Sequence, residues 1–321
     1  MNDWLADRAR RVPRRSMMIG LASGGAAVGI GGLLAASRLF SSVAVNDKTG
    51  PTRDRVKPHI DKADADSQAG VDSSLQPLQA FFDQAKGSAA AFADDVLGWT
   101  SKYRLIRGQH EEFLADAFCE HFFGPDELKQ AMTNAVAGYV ATLEAIDNRM
   151  LVDIRVDVAD LPAGMSLAAM PVPDLQERYR SVCSRVGGVT GADAAVDVGR
   201  AAADMIVGSV VTMMAARFGT SAVALGAGAA SGWWTFGIGL VVGVVVDQII
   251  AAVWNWTYDP HGKLVDLMET KIDEVRNLVL DGCDGKPGLR EELRRYADKR
   301  AIVRREAVLE LLADATGGNR S

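Results

Sequence analysis

Cysteine is scarce: Cys119, Cys183 and Cys283 are the three in 321 residues, far apart and without a C-x-x-C pair. An odd, scattered set fits neither a disulfide framework nor a structural zinc site, so the three read as packing residues. Basic charge is also short, with a formal net charge of −6. Neutralising phosphates takes a cationic surplus, so nucleic acid is not an expected partner. Catalytic and cofactor motifs are missing as well. Around His110-Glu111-Glu112, Asp116, Cys119, Glu120 and His121, a zinc-protease helix would need a second His at position 114, which is Leu. Glu112, Asp116 and Glu120 recur at four-residue steps and read as a solvated stripe. Asp281-Gly282-Cys283-Asp284-Gly285 fails as a calcium loop, because Lys286 stands where the turn needs Gly and Cys283 replaces an oxygen ligand. Gly237-x-Gly239 lacks the third glycine of a dinucleotide loop, and Gly282-x-x-Gly285-Lys286-Pro287 lacks the spacing and hydroxyl of a phosphate loop. The expectation is a non-enzyme with no cofactor, no metal and no evident small-molecule substrate.

What the chain does have is apolar sequence concentrated in two blocks between charged stretches. The first follows Arg8, Arg10, Arg11, Arg14 and Arg15, and its apolar part, Met17 to Ala36, is 20 residues long. As a helix that is about 30 Å, the thickness of a hydrocarbon core. The basic flank predicts a cytoplasmic N-terminus with most of the chain on the exported side. Residues 1–40 are therefore expected to be a membrane anchor, or a cleaved signal, since Ser42-Val43-Ala44 offers small residues to a peptidase. Arg14-Arg15-Ser16-Met17-Met18 ahead of a Gly-rich core also resembles a twin-arginine export signal, although any basic flank contains such pairs.

Residues 41–74, with Gly50, Pro51, Pro58, Gly70 and many Asp, Lys and Ser residues, are predicted to be a flexible linker. Helical periodicity marks 75–200 as an amphipathic helical domain. Its stripes are Leu78, Phe82, Ala85, Ala89, Phe92, Val96 and Trp99, then Phe113, Leu114, Ala117, Phe118 and Phe122, then Leu128, Met132, Val136, Val140, Leu143, Ile146, Met150 and Ile154. Gly124-Pro125-Asp126 separates the second from the third. Asp153 to Val158 alternates with the period of a strand, but a lone strand has no pairing partner, so helical or extended backbone is expected there. After Pro162 and Pro171 a short helix is expected from about Asp174 to Val186, ending at Gly187-Gly188.

The second block, within 201–258, is expected to be a membrane-embedded helical hairpin. Between Met205 and Val253 the ionisable side chains are Arg217 and Asp247 alone. Thr235 to Val253 is framed by Trp233 and Trp234 before it and by Trp254, Trp256 and Tyr258 after it, where amphipathic rings sit at a membrane interface. Ser231-Gly232 supplies the turn, and small residues including Gly226, Gly239 and Gly243 suit close helix packing in lipid. Arg217 lies 14 residues before Ser231 and Asp247 lies 16 after it, which at about 1.5 Å per residue puts them within about 3 Å in depth. Either they form an intramembrane ion pair, or Arg217 snorkels while Asp247 sits near the interface. A single crossing by Thr235 to Val253 is the alternative topology, favoured by the basic set Arg290, Arg294, Arg295, Lys299, Arg300, Arg304 and Arg305 if it lies near the membrane.

Residues 259–321 are expected to be C-terminal charged helices: Leu264, Met268, Ile272, Val275 and Val279 form one stripe, and the charge run from Leu289 to Leu312 reads as a solvated face. The fold class expected is mainly α, with an N-terminal transmembrane segment. The function expected is a structural or accessory membrane subunit, with the lipid bilayer and a protein partner or a second copy as its contacts. The alternative is a membrane-inserting or pore-forming protein that uses the 205–254 hairpin.

Overall fold

One apolar or small residue per turn, at Val56, Ile60, Ala63, Ser67, Val71, Leu75, Leu78, Phe82 and Ala85, organises the first long element of the protein, and all nine are buried. In the computed structural model, which describes residues 50–98, 110–161, 165–186, 194–217 and 259–317, this element is the single helix α1, Gly50–Gly87. The linker expected over 41–74 is therefore corrected for residues 50–74; residues 41–49 lie outside the described residues. Its polar composition is ion-paired rather than disordered. Lys57 meets Asp61 at 2.6 Å, Lys62 meets Asp66 at 2.5 Å and Arg55 meets Asp160 at 2.7 Å. Pro58 and Pro77 stand inside the helix with their rings exposed; each removes one N–H from the ladder, and packing along the buried stripe compensates.

The remaining elements are α2 (Ala89–Leu97), α3 (His110–His121), α4 (Pro125–Asp157), α5 (Met165–Ala169), α6 (Val172–Val186), α7 (Ala194–Arg217), α8 (Pro260–Asp281), the two-residue strands β1 (Gly282–Cys283) and β2 (Lys286–Pro287), and α9 (Leu289–Gly317). The protein is mainly α-helical, and among the described residues no helix is long and apolar enough to cross a membrane. The start of α4 follows from its sequence: Pro125 opens the helix, and Glu127 Oε2 accepts from the Gly124 N–H at 2.7 Å. The segment 153–158, for which helical or extended backbone is expected, is helical to Asp157, and Val158 caps the helix.

All the described residues belong to one unit, Asn46–Ser321. Its arrangement follows from the side-chain pairs. Along α1 and α2, Asp64, Gln68, Asp72, Asp83, Lys86 and Asp94 face Arg304, Asp298, Arg290, Arg276, Asp273 and His261 in turn. Rising numbers on one side meet falling numbers on the other. Helices α8 and α9 thus do not fold back on each other; they run one after the other as two lengths of a rod antiparallel to α1 and α2. Helix α4 is also antiparallel to α1, since Phe123 packs on Phe82 while Asp157 faces His59 at 3.1 Å. Helix α6 runs against α9 through Arg178–Asp314, at 3.0 Å, and Arg185–Glu310.

The break between α8 and α9 is a tight β-turn. Asp284 and Gly285 have φ of 49° and 73°, the left-handed pair that an Asp-Gly turn of this kind requires. Gly282, at φ 82°, has no room for a Cβ, which would run into the Lys286 carbonyl oxygen.

The apolar side chains form two clusters. The larger joins α1 from Val71 onward, α2, α3, the first part of α4, α7, α8 and the start of α9; the smaller joins the opening turns of α1, the end of α4, α5, α6 and the end of α9. The C-terminal helices, set apart in the sequence as a charged region, therefore supply both cores.

Candidate functional site

Between the two cores lies a layer of charge. On each of the three long helices the apolar stripe is interrupted at the same level: by Asp64 and Ser67 on α1, by Asp147 on α4, and by Arg300 and Arg304 on α9. The Asp147 side chain is 3% exposed and that of Arg304 is 0% exposed, so the attraction between them is little screened by solvent.

Asp147 accepts three N–H bonds. Arg300 donates to Oδ2 from Nε at 3.0 Å and from Nη2 at 2.6 Å, and Arg304 donates to Oδ1 from Nε at 2.6 Å. Arg304 then uses its other two nitrogens on α1, reaching Asp64 Oδ1 at 2.5 Å and Ser67 Oγ at 2.9 Å. Arg305 approaches the second oxygen of Asp64 at 3.3 Å. The Ser67 hydroxyl donates to the Ala63 carbonyl at 2.6 Å, and the Tyr139 hydroxyl donates to the Ser67 carbonyl at 2.9 Å. Burial is the largest single influence on Arg300 and Arg304 and works against their charge, but the charge and hydrogen bonds of Asp147, together with the other groups around them, outweigh it and hold both guanidiniums above their ordinary range.

Tyr179 and Cys183, on α6, border this layer. Burial first, and the charge of Asp147 second, push the Tyr179 hydroxyl well above its usual range, and burial raises the Cys183 thiol. Tyr179 finds no oxygen or nitrogen partner among the described residues and lies against that thiol.

The arrangement is suited to fixing helix register. Every carboxylate oxygen of Asp64 and Asp147 lies within 3.3 Å of a guanidinium nitrogen. One Arg304 side chain ties α9 to α1 and α4 at once, and sliding any of the three by a helical turn would strand a buried charge. Polar layers of this kind specify alignment in helical assemblies. Nothing in the sequence singles out Asp147, and the charge run from Leu289 to Leu312 places Arg304 on a solvated face. That reading is corrected: Arg304 is fully buried. The available signal was the simultaneous interruption of three apolar stripes.

The residues predicted for a membrane site fall differently. Trp233, Trp234, Trp254, Trp256, Tyr258, Asp247, Gly226, Gly239 and Gly243 all lie outside the described residues. Of the hairpin expected over 201–258, residues 201–217 are described, and they form the last part of α7. There Ile206, Val207, Val210, Val211, Met213 and Met214 are buried in the larger core, while Met205 is exposed. Arg217 ends the helix, half-exposed, and its counter-charge is Asp284 at 3.2 Å, in the turn between α8 and α9.

In the His110–His121 region, Asp116 and Glu120 are exposed and His121 faces Asp95 at 3.4 Å across to α2. Among the described residues no three His, Cys, Asp or Glu side chains are grouped so as to hold a metal ion. No protein-family model, curated protein or solved structure gives a match to this chain.

Proposed function

We propose that this chain is a non-enzymatic membrane protein of a cell envelope, acting as a structural or accessory subunit through helix–helix contacts. The observation that carries the reading is the combination of a helical rod locked by a buried charge layer with a 41-residue stretch, 218–258, whose one acidic or basic side chain is Asp247. A rod held in register by Asp147 and Arg304 is built to keep its shape, as a scaffold must. Forty-one residues with almost no charge need a solvent or partner other than water.

The pore-forming alternative draws less support, because residues 205–217 of its inserting hairpin already contribute to the protein core. Pairing of Arg217 with Asp247 within a bilayer also remains a proposal, with Asp284 as a competitor for the guanidinium. Extraction of the full-length protein in mild detergent, followed by sizing, tests the role. An assembly larger than the monomer is expected; a stable monomer with nothing co-purifying overturns it.

A further inference from the structure

Helix α4 is covered along one side by α1, α7 and α9. On its other side Gly138, Ala141, Ala145, Asn148, Val152 and Val156 recur at steps of three, four, three, four and four, so they form one stripe about 27 Å long. All but the half-buried Asn148 are exposed. Val156 is 72% exposed and Val152 39%, and they are two of the four large apolar side chains exposed among the described residues. A Cβ built on Gly138 would meet nothing within 4 Å. The stripe has the spacing of a helix seam, and no described helix fills it.

Two exposed charges border it. At about 100° per residue, Glu144 falls on one flank of the stripe and Arg149 on the opposite flank. Both are exposed, and neither has an ion pair or side-chain hydrogen bond among the described residues. That pattern selects an occupant. In a parallel, in-register pair of helices, each flank meets the opposite flank of the other helix about five residues further along. Arg149 stands five residues after Glu144, so the face is complementary to itself. In an antiparallel pair like flanks meet. Arg155, the cation on the flank of Glu144, is already engaged, donating to the Ala168 carbonyl from Nε at 3.1 Å and from Nη2 at 2.9 Å.

Resting on the subunit reading above, we infer that this face of α4 takes α4 of a second copy of this chain, parallel and in register about a two-fold axis. Glu144 of each copy then meets Arg149 of the other. Gly138, Ala141 and Ala145 let the two backbones approach closely. Asn148 meets its own counterpart in the seam, where a polar pair fixes register, and Val152 and Val156 leave water.

Self-linking of single cysteines tests this in the full-length chain in mild detergent. Cys119→Ser and Cys283→Ser together, with the buried Cys183 kept, make the background and its control. Gly138→Cys and Val152→Cys are each expected to give a disulfide-linked dimer under mild oxidation, because each lies against its own counterpart. Asp266→Cys, exposed on α8, is expected to give none. The two linking positions are about 21 Å apart along the helix, so an antiparallel pair could link at most one of them. Sedimentation is expected to show the dimer Kd raised at least about tenfold by Ala145→Arg, and about tenfold by Glu144→Arg or Arg149→Glu alone. Glu144→Arg with Arg149→Glu is expected to return it to within about threefold of the parent. Far-UV circular dichroism checks each variant for folding. Linking at neither or only one position, or charge reversals that do not rescue each other, overturns the inference. If the parent chain still forms an assembly in that case, the subunit reading stands with a different contact. A parent chain that is a lone monomer overturns both.

Discussion

Removing the carboxylate of Asp147 is the sharpest test of how this protein is held together. In Asp147→Ala, Arg300 loses both of its bonds to that carboxylate, at 3.0 and 2.6 Å, and Arg304 loses one of its own at 2.6 Å. Arg304 keeps Asp64 and Ser67, but its side chain is 0% exposed and water cannot replace what is lost. Breaking a buried ion pair from one side costs about 3–5 kcal/mol, because the remaining charge is left desolvated. Asp61→Ala is the control. It removes a pair of the same length class whose side chains are 71% and 47% exposed, and such pairs contribute less than about 1 kcal/mol. Urea unfolding of the full-length chain in mild detergent, followed by far-UV circular dichroism, measures both. A third variant, Asp147→Leu with Arg300→Met and Arg304→Met, removes the three central charges together, leaves the partly exposed Asp64 to Arg305, and is expected to regain part of the loss, since apolar replacements of buried pairs are often neutral or better. If Asp147→Ala costs no more than Asp61→Ala, the layer is not buried as described and the register argument falls.

Two buried tyrosines should respond oppositely to loss of their hydroxyls. Tyr139→Phe gives up the 2.9 Å bond to the Ser67 carbonyl and should lose about 1 kcal/mol by urea titration, whereas Tyr179→Phe, whose hydroxyl has no oxygen or nitrogen partner among the described residues, should be neutral or stabilising. Burial raises the hydroxyls of Tyr139, Tyr179 and Tyr296, while in the unfolded chain each ionises near pH 10. Their contribution is therefore complete below about pH 10 and declines above it, as the unfolded state releases protons that the folded state retains. Urea midpoints between pH 9 and 11 should fall, and the Tyr179→Phe variant should fall less steeply. At the α8–α9 turn, Gly282→Ala forces a Cβ onto the Lys286 carbonyl and should cost more than about 2 kcal/mol, while Gly285→Ala, with nothing within 4 Å of its Cβ, should cost only about 1–2 kcal/mol for its positive φ. Thermal melts of the two variants separate clash from conformational strain.

The helical character of this protein was legible wherever an apolar stripe was broad. Leu128, Met132, Val136, Leu143, Met150 and Ile154 are buried on α4, and Leu264, Met268, Ile272, Val275 and Val279 on α8, as their spacing predicts. The start of α4 at Gly124-Pro125 was legible for a local reason, a proline at the first helical position. The first half of α1 was not. Its buried face over 52–67 is one residue wide and consists of Thr52, Val56, Ile60, Ala63 and Ser67, of which only two are large hydrophobes. The charged residues around it, judged as composition, describe a chain that cannot bury enough surface to order itself. Judged against partners more than 90 positions away, such as Asp157 and Asp160 for His59 and Arg55, they are the outside of a narrow-seamed helix. Pairing at that sequence distance is a tertiary fact with no local signature.

The same argument explains why the charge layer was missed and why it matters to the fold. A helix buried along a seam one residue wide gains little from any single register over one displaced by a turn, because apolar side chains of similar size replace one another at steps of three or four. Asp64, Asp147 and Arg304 break that degeneracy. They align at one level only, and each is costly to bury without the others. In the sequence Arg304 is one cation among seven between Arg290 and Arg305, and nothing local distinguishes it from Arg294 or Arg295, which remain exposed. Its position opposite two breaks in two distant stripes is what distinguishes it. The residues that choose the alignment of narrow-seamed helices are thus the ones that a reading by apolar periodicity passes over.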